Sequence, residues 1–299
     1  MRAHPAPVVR GMLWMAATGL LFLVLNTTMK KLSHEFDPWL VGFLRYLTGA
    51  AVMLVPALRL GVGALWPKAP KLQLVRGLFH AGGMTLWFAA LPFVTLAELT
   101  AIGFSGPIFI CLGAVLFLHE RMSGARWAAV LLGFAGVLVV LKPWQGGGFA
   151  GISPGMLLML ASAPVFAGSF LVAKALTRYD RSEVVVFWQH LWVSVLLAPL
   201  ALSYWTAPTP AQWGLLVLCG FLGAGGHYCM IRAFRVADIS AVQSVKFLEL
   251  VWAAILGWIV FGTAPAGATV AGGVVILAAT LLLARHESRA VEQSRRETA

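Results

Sequence analysis

The sequence predicts an all-α polytopic membrane protein, with ten transmembrane helices arranged as two inverted five-helix repeats around a central cavity. Three observations carry that prediction. Of 299 residues, 60% are hydrophobic and only 11% charged, where soluble domains carry about 25% charged residues. Apolar runs near the roughly 20 residues needed to cross a hydrocarbon core recur along the whole chain. The first half of the sequence also returns, in order, in the second.

The apolar runs give ten helices at roughly 9–32, 38–58, 72–92, 95–118, 124–142, 153–176, 183–205, 211–234, 239–262 and 265–285. Together they consume on the order of 200 residues, which leaves short connections and two tails but no soluble domain. The first run follows Arg2 and Arg10 and is too long for the apolar region of a signal peptide. It also lacks a small-x-small cleavage site before Lys30 and Lys31, so it is read as a permanent helix. Twelve Trp and 31 Gly fit this class, since Trp marks membrane interfaces and Gly is frequent in spanning helices. Cys111, Cys219 and Cys229 all fall within apolar runs and read as small packing residues rather than disulfides or metal ligands.

A net charge of +11 raises the question of nucleic acid, but the basic residues sit at the ends of apolar runs, facing lipid headgroups. With the N-terminus inside, the cytoplasmic side collects seventeen Lys and Arg, from Arg2 and Arg10 through Arg76, Arg126 and Lys174 to the four arginines of the tail. The opposite side holds three: Lys30, Lys31 and Lys142. That bias predicts both termini in the cytoplasm. Arg45 and Lys246 stay within the membrane.

The repeat divides the chain into residues 1–148 and 149–299. GMLWMAATGLLFLVLNTTMKKL, from Gly11, aligns with GMLLMLASAPVFAGSFLVAKAL, from Gly155, at a shift of 144 residues. At a shift of 143, Asp37 meets Asp180, Pro56 meets Pro199, and Ala81-Gly82-Gly83 meets Ala224-Gly225-Gly226. Five spans per copy is an odd number, so the second copy enters the membrane upside down. Many secondary transporters build two gates around one midplane site in this way.

Three stretches resemble one family: FLRYLTGA in the second span, GPIFICLGAVLFLHERMSGARWAAVLLGFAGVLVVLKP across the fourth and fifth, and FLELVWAAILGWIVFG in the ninth. The chain resembles the EamA family of the drug/metabolite transporter superfamily over nearly its whole length. The family's Gly-Glu signature stands here as His119-Glu120, and Thr263 stands where a second-copy Glu is common. Size and topology are most similar to the YddG-type amino-acid exporters. The resemblance implies a bacterial inner-membrane transporter working by alternating access and exporting amino acids. The alternative is a carrier of another class, such as S-adenosylmethionine, riboflavin or a nucleotide-like metabolite, for which a Trp-rich cavity supplies stacking.

Ionisable residues inside a bilayer cost a few kcal/mol at least, so each needs a partner or a wet cavity. Lys246 and Glu249 share one face of the ninth span and lie within pairing distance. Two readings stay open. The pair locks a helix into the bundle, or it lines the cavity beside Ser244 and offers one charge of each sign to a zwitterionic substrate. In the fourth span, GFSGPIF (residues 103–109) sets Ser105 and Gly106 against Pro107, which cannot donate a backbone bond. The break either kinks the helix for packing or opens backbone toward the cavity.

His80, Trp87, His227 and Tyr228 flank the small residues of the third and eighth spans and complete the expected substrate-binding set. Arg45 is expected to pair with Glu98, Asn26 to bond between helices, and Glu120 to support the start of a neighbouring helix. The chain has no GxxxxGK[ST], HExxH or G-x-S-x-G. Neither cofactor nor metal is expected, and no enzymatic activity. An embedded lipid enzyme and a non-transporting helper subunit are the readings from other classes. The expected partners are a small-molecule substrate and the bilayer, not nucleic acid. Proton coupling through Glu98 or Glu249 and uniport down a gradient both stay open.

Overall fold

The computed structural model describes residues 7–32, 35–90, 93, 102–141, 153–261 and 267–297, and among them every regular element is helical. In chain order these are α1 (Pro7–Leu32), α2 (Pro38–Leu58), the one-turn α3 (Val62–Leu65), α4 (Pro70–Ala90), α5 (Gly106–Leu118) and α6 (Gly124–Leu141). The second half has α7 (Pro154–Leu176), α8 (Ser182–Leu202), α9 (Pro210–Val236), the one-turn α10 (Ile239–Val242), a 3₁₀ segment (Gln243–Phe247), α11 (Leu248–Phe261) and α12 (Gly267–Glu297). Each of the ten predicted spans holds one or more of these elements.

The same start signal opens helices in both halves. Asp37, Ser153 and Thr209 accept hydrogen bonds from the backbone N–H of Trp39, Met156 and Gln212, and a proline follows each cap. The cap satisfies an orphan donor, and proline loses nothing at a position whose N–H has no helical partner. The far end of α5 is closed differently. His119 takes the left-handed conformation at φ 55°, and the N–H of Glu120 returns to Ala114 O at 3.1 Å. That conformation favours glycine, which explains why the family signature has Gly where this chain has His119.

The predicted spans are corrected in four places. The ninth is not one helix: α10, the 3₁₀ segment and α11 divide it. The described part of the fourth is helical at Ile102–Gly103, breaks into a turn at Phe104–Ser105, and becomes α5 at Gly106. The tail is helical, since α12 runs to Glu297. Arg76, counted above with the cytoplasmic cations, is wholly buried. Its guanidinium donates to Val185 O at 2.9 Å and to the amide oxygen of Gln189. Gln73, Arg76 and His80 lower the mean hydropathy of α4 without exposing it, because all three are buried on one face.

The most extensive helix contacts cross between repeats: α1 on α9, α4 on α7, α2 on α8 and α6 on α12. Exchanging the two halves maps this set onto itself, as a two-fold axis in the membrane plane requires. Single residues obey the same rule. Gly77 sits against the Trp192 side chain and Gly220 against the Gly49 backbone; the shift of 143 carries Gly77 to Gly220 and Gly49 to Trp192. Thr48 also donates to Leu216 O at 3.1 Å across the α2–α9 contact. Outside the bundle, Leu13, Leu116, Phe117, Phe221 and Leu282 are exposed and face lipid. The protein is a multi-pass membrane protein.

A Cβ at Gly220 would lie 2.3 Å from Thr48 Oγ1 and 2.7 Å from Gly49 N, so backbone must move. Gly220→Ala is expected to destabilise the purified protein by about 2 kcal/mol. Gly214, on the same helix with nothing within 4 Å, is the control: Gly214→Ala leaves the melting midpoint unchanged or raises it. Thermal melts read by size-exclusion chromatography check both.

Candidate functional site

A cavity of about 270 Å³ lies between α1, α2, α4, α5, α7, α9 and the broken ninth span. Asn26 and Gly103 are exposed at its mouth, at the end of the bundle where α1 and α4 finish and α7 begins. Phe22, Trp87, Phe166 and Phe170 supply aromatic walls. Tyr46, His80 and His227 stand deeper, and Arg45, Lys246 and Glu249 bring charge. Beyond the floor, a seam between Met15, Ile110, Phe170, Met230, Phe234 and Gln243 leaves no room for water.

The break in the ninth span places its two charges. Lys246, in the last turn of the 3₁₀ segment, reaches α7, its Nζ 5.3 Å from the centre of the Phe170 ring. Glu249, in the first turn of α11, leans the other way, and its Cγ fills the space a side chain at Gly19 of α1 would need. No ion pair joins the two among the described residues, which corrects the expectation of a direct pair. The physical reason is that each side chain follows a gap in a different repeat. Glu249 Oε1 is buried without a hydrogen-bond partner, a costly condition that a bound ligand would relieve.

Arg45 also faces the cavity. It donates to Tyr46 Oη at 3.3 Å and to Met29 Sδ at 3.5 Å, and lies 4.5 Å from the centre of the Tyr46 ring. Glu98, its expected partner, lies outside the described residues. Tyr46 Oη meets His80 Nε2 at 2.7 Å, and His80 Nδ1 meets Ser169 Oγ at 3.2 Å. His80 is therefore anchored through both nitrogens. His190 and His227 pack beside it with ring centres 5.3 Å apart.

The expected binding residues divide into two groups. Lys246, Glu249, His80, His227 and Trp87 line the cavity, as do Arg45 and Asn26. The other four do not. Tyr228 donates to Glu183 Oε1 at 3.4 Å and accepts from Arg232 Nη1 at 3.0 Å. Ser105 turns back to Ile102 O, Pro107 is buried while Gly103 and Gly106 beside it reach the cavity, and Ser244 is buried behind the wall. Sequence reasoning missed Phe22, Tyr46, Phe166 and Phe170. A usable signal existed for two of them, because the aligned repeats match Phe22 with Phe166.

The opposite end is fastened by polar side chains. Glu120 accepts from Ile239 N at 2.9 Å, Ser240 N at 3.1 Å and Ser240 Oγ at 2.7 Å, so one carboxylate of the first repeat holds the start of the broken span. Arg126 pairs with Asp238 at 3.0 Å. Lys174 Nζ donates to Phe234 O and Ala237 O, both at 2.6 Å, capping the end of α9. Asp180 binds Lys68 N at 2.8 Å and Gln73 Nε2 at 3.0 Å.

With this geometry in view, the comparisons with known proteins are decisive. The profile of the EamA-like transporter family matches residues 9–142 and again 153–285. The chain belongs to the EamA-like transporter family. Among its relatives, a riboflavin transporter of Rhizobium johnstonii is 35% identical over 96% of this chain and 94% of that protein. An S-adenosylmethionine uptake transporter of Rickettsia bellii is 30% identical over 87% of each. A pseudopaline exporter of Pseudomonas aeruginosa is 27% identical over 92% of this chain and 96% of that one. A crystal structure at 24% identity superposes with a TM-score of 0.80, covering 94% of this chain and 98% of the other, and shares the fold.

Removing the Glu120 carboxylate leaves two backbone N–H groups and a hydroxyl without their acceptor. Glu120→Ala is expected to cost about 2–3 kcal/mol of stability, with Glu120→Gln recovering part of it. His119→Gly is expected to stabilise by about 1 kcal/mol, since glycine carries no side-chain penalty in the left-handed region. Melting midpoints of the three variants test both statements.

Proposed function

We propose that this EamA-family protein is a secondary transporter of a flat, ring-bearing metabolite of the riboflavin kind, moved by alternating access. The observation that carries the reading is the cavity itself, walled by Phe22, Trp87, Phe166 and Phe170 and holding Arg45, Lys246 and Glu249. Aromatic walls bind flat rings through stacking and burial. A carrier of small amino acids has less use for them. Among the described cavity residues, two cations face one carboxylate, which favours a neutral or anionic ligand over the cationic S-adenosylmethionine. The named relatives carry riboflavin, S-adenosylmethionine and pseudopaline, and none of these is an amino-acid exporter. The reading of amino-acid export therefore gives way to its alternative.

The site residues proposed are Lys246, Glu249, Arg45, Trp87, His80 and His227, with Asn26 at the mouth. Lys246 and Glu249 present their charges separately, so each is free to take a polar group of the ligand. The basic-residue bias argues for the inner membrane with both termini cytoplasmic. In that orientation the cavity opens outward, and the ends tied by Glu120, Arg126 and Lys174 face the cytoplasm. Among the described cavity residues, Glu249 is the carboxylate available to carry a proton with the substrate.

Purified protein in liposomes is expected to exchange labelled riboflavin by counterflow, with S-adenosylmethionine and amino acids competing weakly. Lys246→Ala and Glu249→Gln are expected to reduce exchange about tenfold or more while the proteins purify as single species. Absence of flavin exchange by the folded wild type overturns the substrate reading. An imposed pH gradient that drives riboflavin accumulation in the wild type but not in Glu249→Gln supports proton coupling; no response to the gradient removes it.

A further inference from the structure

Phe22 on α1 and Phe166 on α7 occupy the same place in the two repeats, 144 residues apart. Each ring is seated on a glycine of the opposite repeat. A Cβ on Gly226 would meet Phe22 Cε1 at 2.4 Å, and one on Gly83 would meet Phe166 Cδ1 at 2.8 Å. Those glycines are themselves equivalents, at the shift of 143. Each ring also has a histidine against it edge to face: His227 beside Phe22 at 5.1 Å and 70°, and His80 beside Phe166 at 5.3 Å and 71°. The two histidines lie one helical turn away from true equivalence. The result is a pair of matching sockets, each built from both repeats.

Both rings are half-buried and both line the cavity. A socket therefore fixes a ring from below and from one side and leaves the remaining surface toward the ligand. A purely packing role would bury the ring fully, as it does Phe234 and Phe247. We infer that Phe22 and Phe166 are the two jaws of a clamp that grips a planar ring of the substrate, one jaw from each repeat. Gly226 and Gly83 are positioning residues, because only a bare backbone lets each ring sit flush. The clamp rests on the reading of the substrate as a ring-bearing metabolite and assigns where that ring goes.

The physics favours pre-set jaws. A ring held by glycine and imidazole loses little freedom when the ligand arrives, so more of the stacking energy appears as affinity. Sliding α1 against α9, or α4 against α7, also moves each ring over its glycine. The grip is thus tied to the conformation of the bundle rather than to one helix.

The test is equilibrium binding to purified protein with three probes: riboflavin, lumichrome (the flavin ring without its side chain) and uridine. Phe22→Leu and Phe166→Leu are each expected to raise the dissociation constant of riboflavin and lumichrome about tenfold, while the tyrosine variants, which keep a ring, recover most of the binding. Gly226→Ala is expected to weaken lumichrome more than Gly83→Ala, since its contact is closer. Phe22→Trp is expected to quench the fluorescence of bound flavin more than the wild type does. Unchanged flavin binding by both leucine variants overturns the clamp and leaves the transport reading intact. Wild type that binds uridine but no flavin, with uridine weakened by the leucine variants, overturns the flavin reading and supports the clamp. A folded wild type that binds none of the three overturns both.

Discussion

Close approach between helices of opposite repeats, at positions where no Cβ fits, is the constraint on which this structure rests. Inside a bilayer, lipid tails are as apolar as leucine, so association depends on contact packing and hydrogen bonds rather than on escape from water. Gly226 under Phe22, Gly83 under Phe166 and Gly220 against Gly49 provide that contact. The pairing of α1 with α9 and of α4 with α7 follows from it, and the cavity is the space these paired helices leave between them. The halves are consequently not two bodies with an interface. Each long helix of one copy finds its main neighbour in the other.

Polar groups inside the bundle are bonded to different degrees. Asp180, Glu120, Lys174 and the two terminal nitrogens of Arg76 have partners among carbonyls, amides and side chains. They consolidate the bundle, and most of them gather at the end away from the cavity mouth. Around the cavity the bonds are incomplete: Glu249 Oε1 and Arg45 Nε lack partners, and so do both ring nitrogens of His227. Such groups are costly in low dielectric, and a second set stands at the Arg76 contact, where Gln73 Oε1, Arg76 Nε and Gln189 Nε2 also lack partners.

Much of the fold was legible in the sequence because hydrophobic length and repeat order are long-range signals. The Gly11 and Gly155 alignment already contains the matched phenylalanines, and the shift of 143 already relates Gly77 to Gly220. Side-chain destinations were less legible. Nothing in VQSVKFLEL announces a 3₁₀ segment, because no proline or glycine marks it; the tertiary contacts of Glu120 and Gly19 fix where the helix breaks. Arg76 reads as a surface cation near the end of a span, and only the position of Gln189 on another helix reveals it as buried. Lys246 and Glu249 stand at pairing distance along an ideal helix, but the break sends them to different neighbours.

The length of α12 has a consequence for the membrane surface. Its 31 residues extend about 46 Å at 1.5 Å per residue, well beyond the roughly 30 Å of hydrocarbon. The final turns therefore rise through the headgroup layer as a rigid post rather than a loose tail. Arg285 and Arg289, both exposed, stand on that post, where an anionic phospholipid surface would attract each cation by about 1 kcal/mol. The charge of the leaflet that this post crosses would therefore act on the tilt of the tenth span.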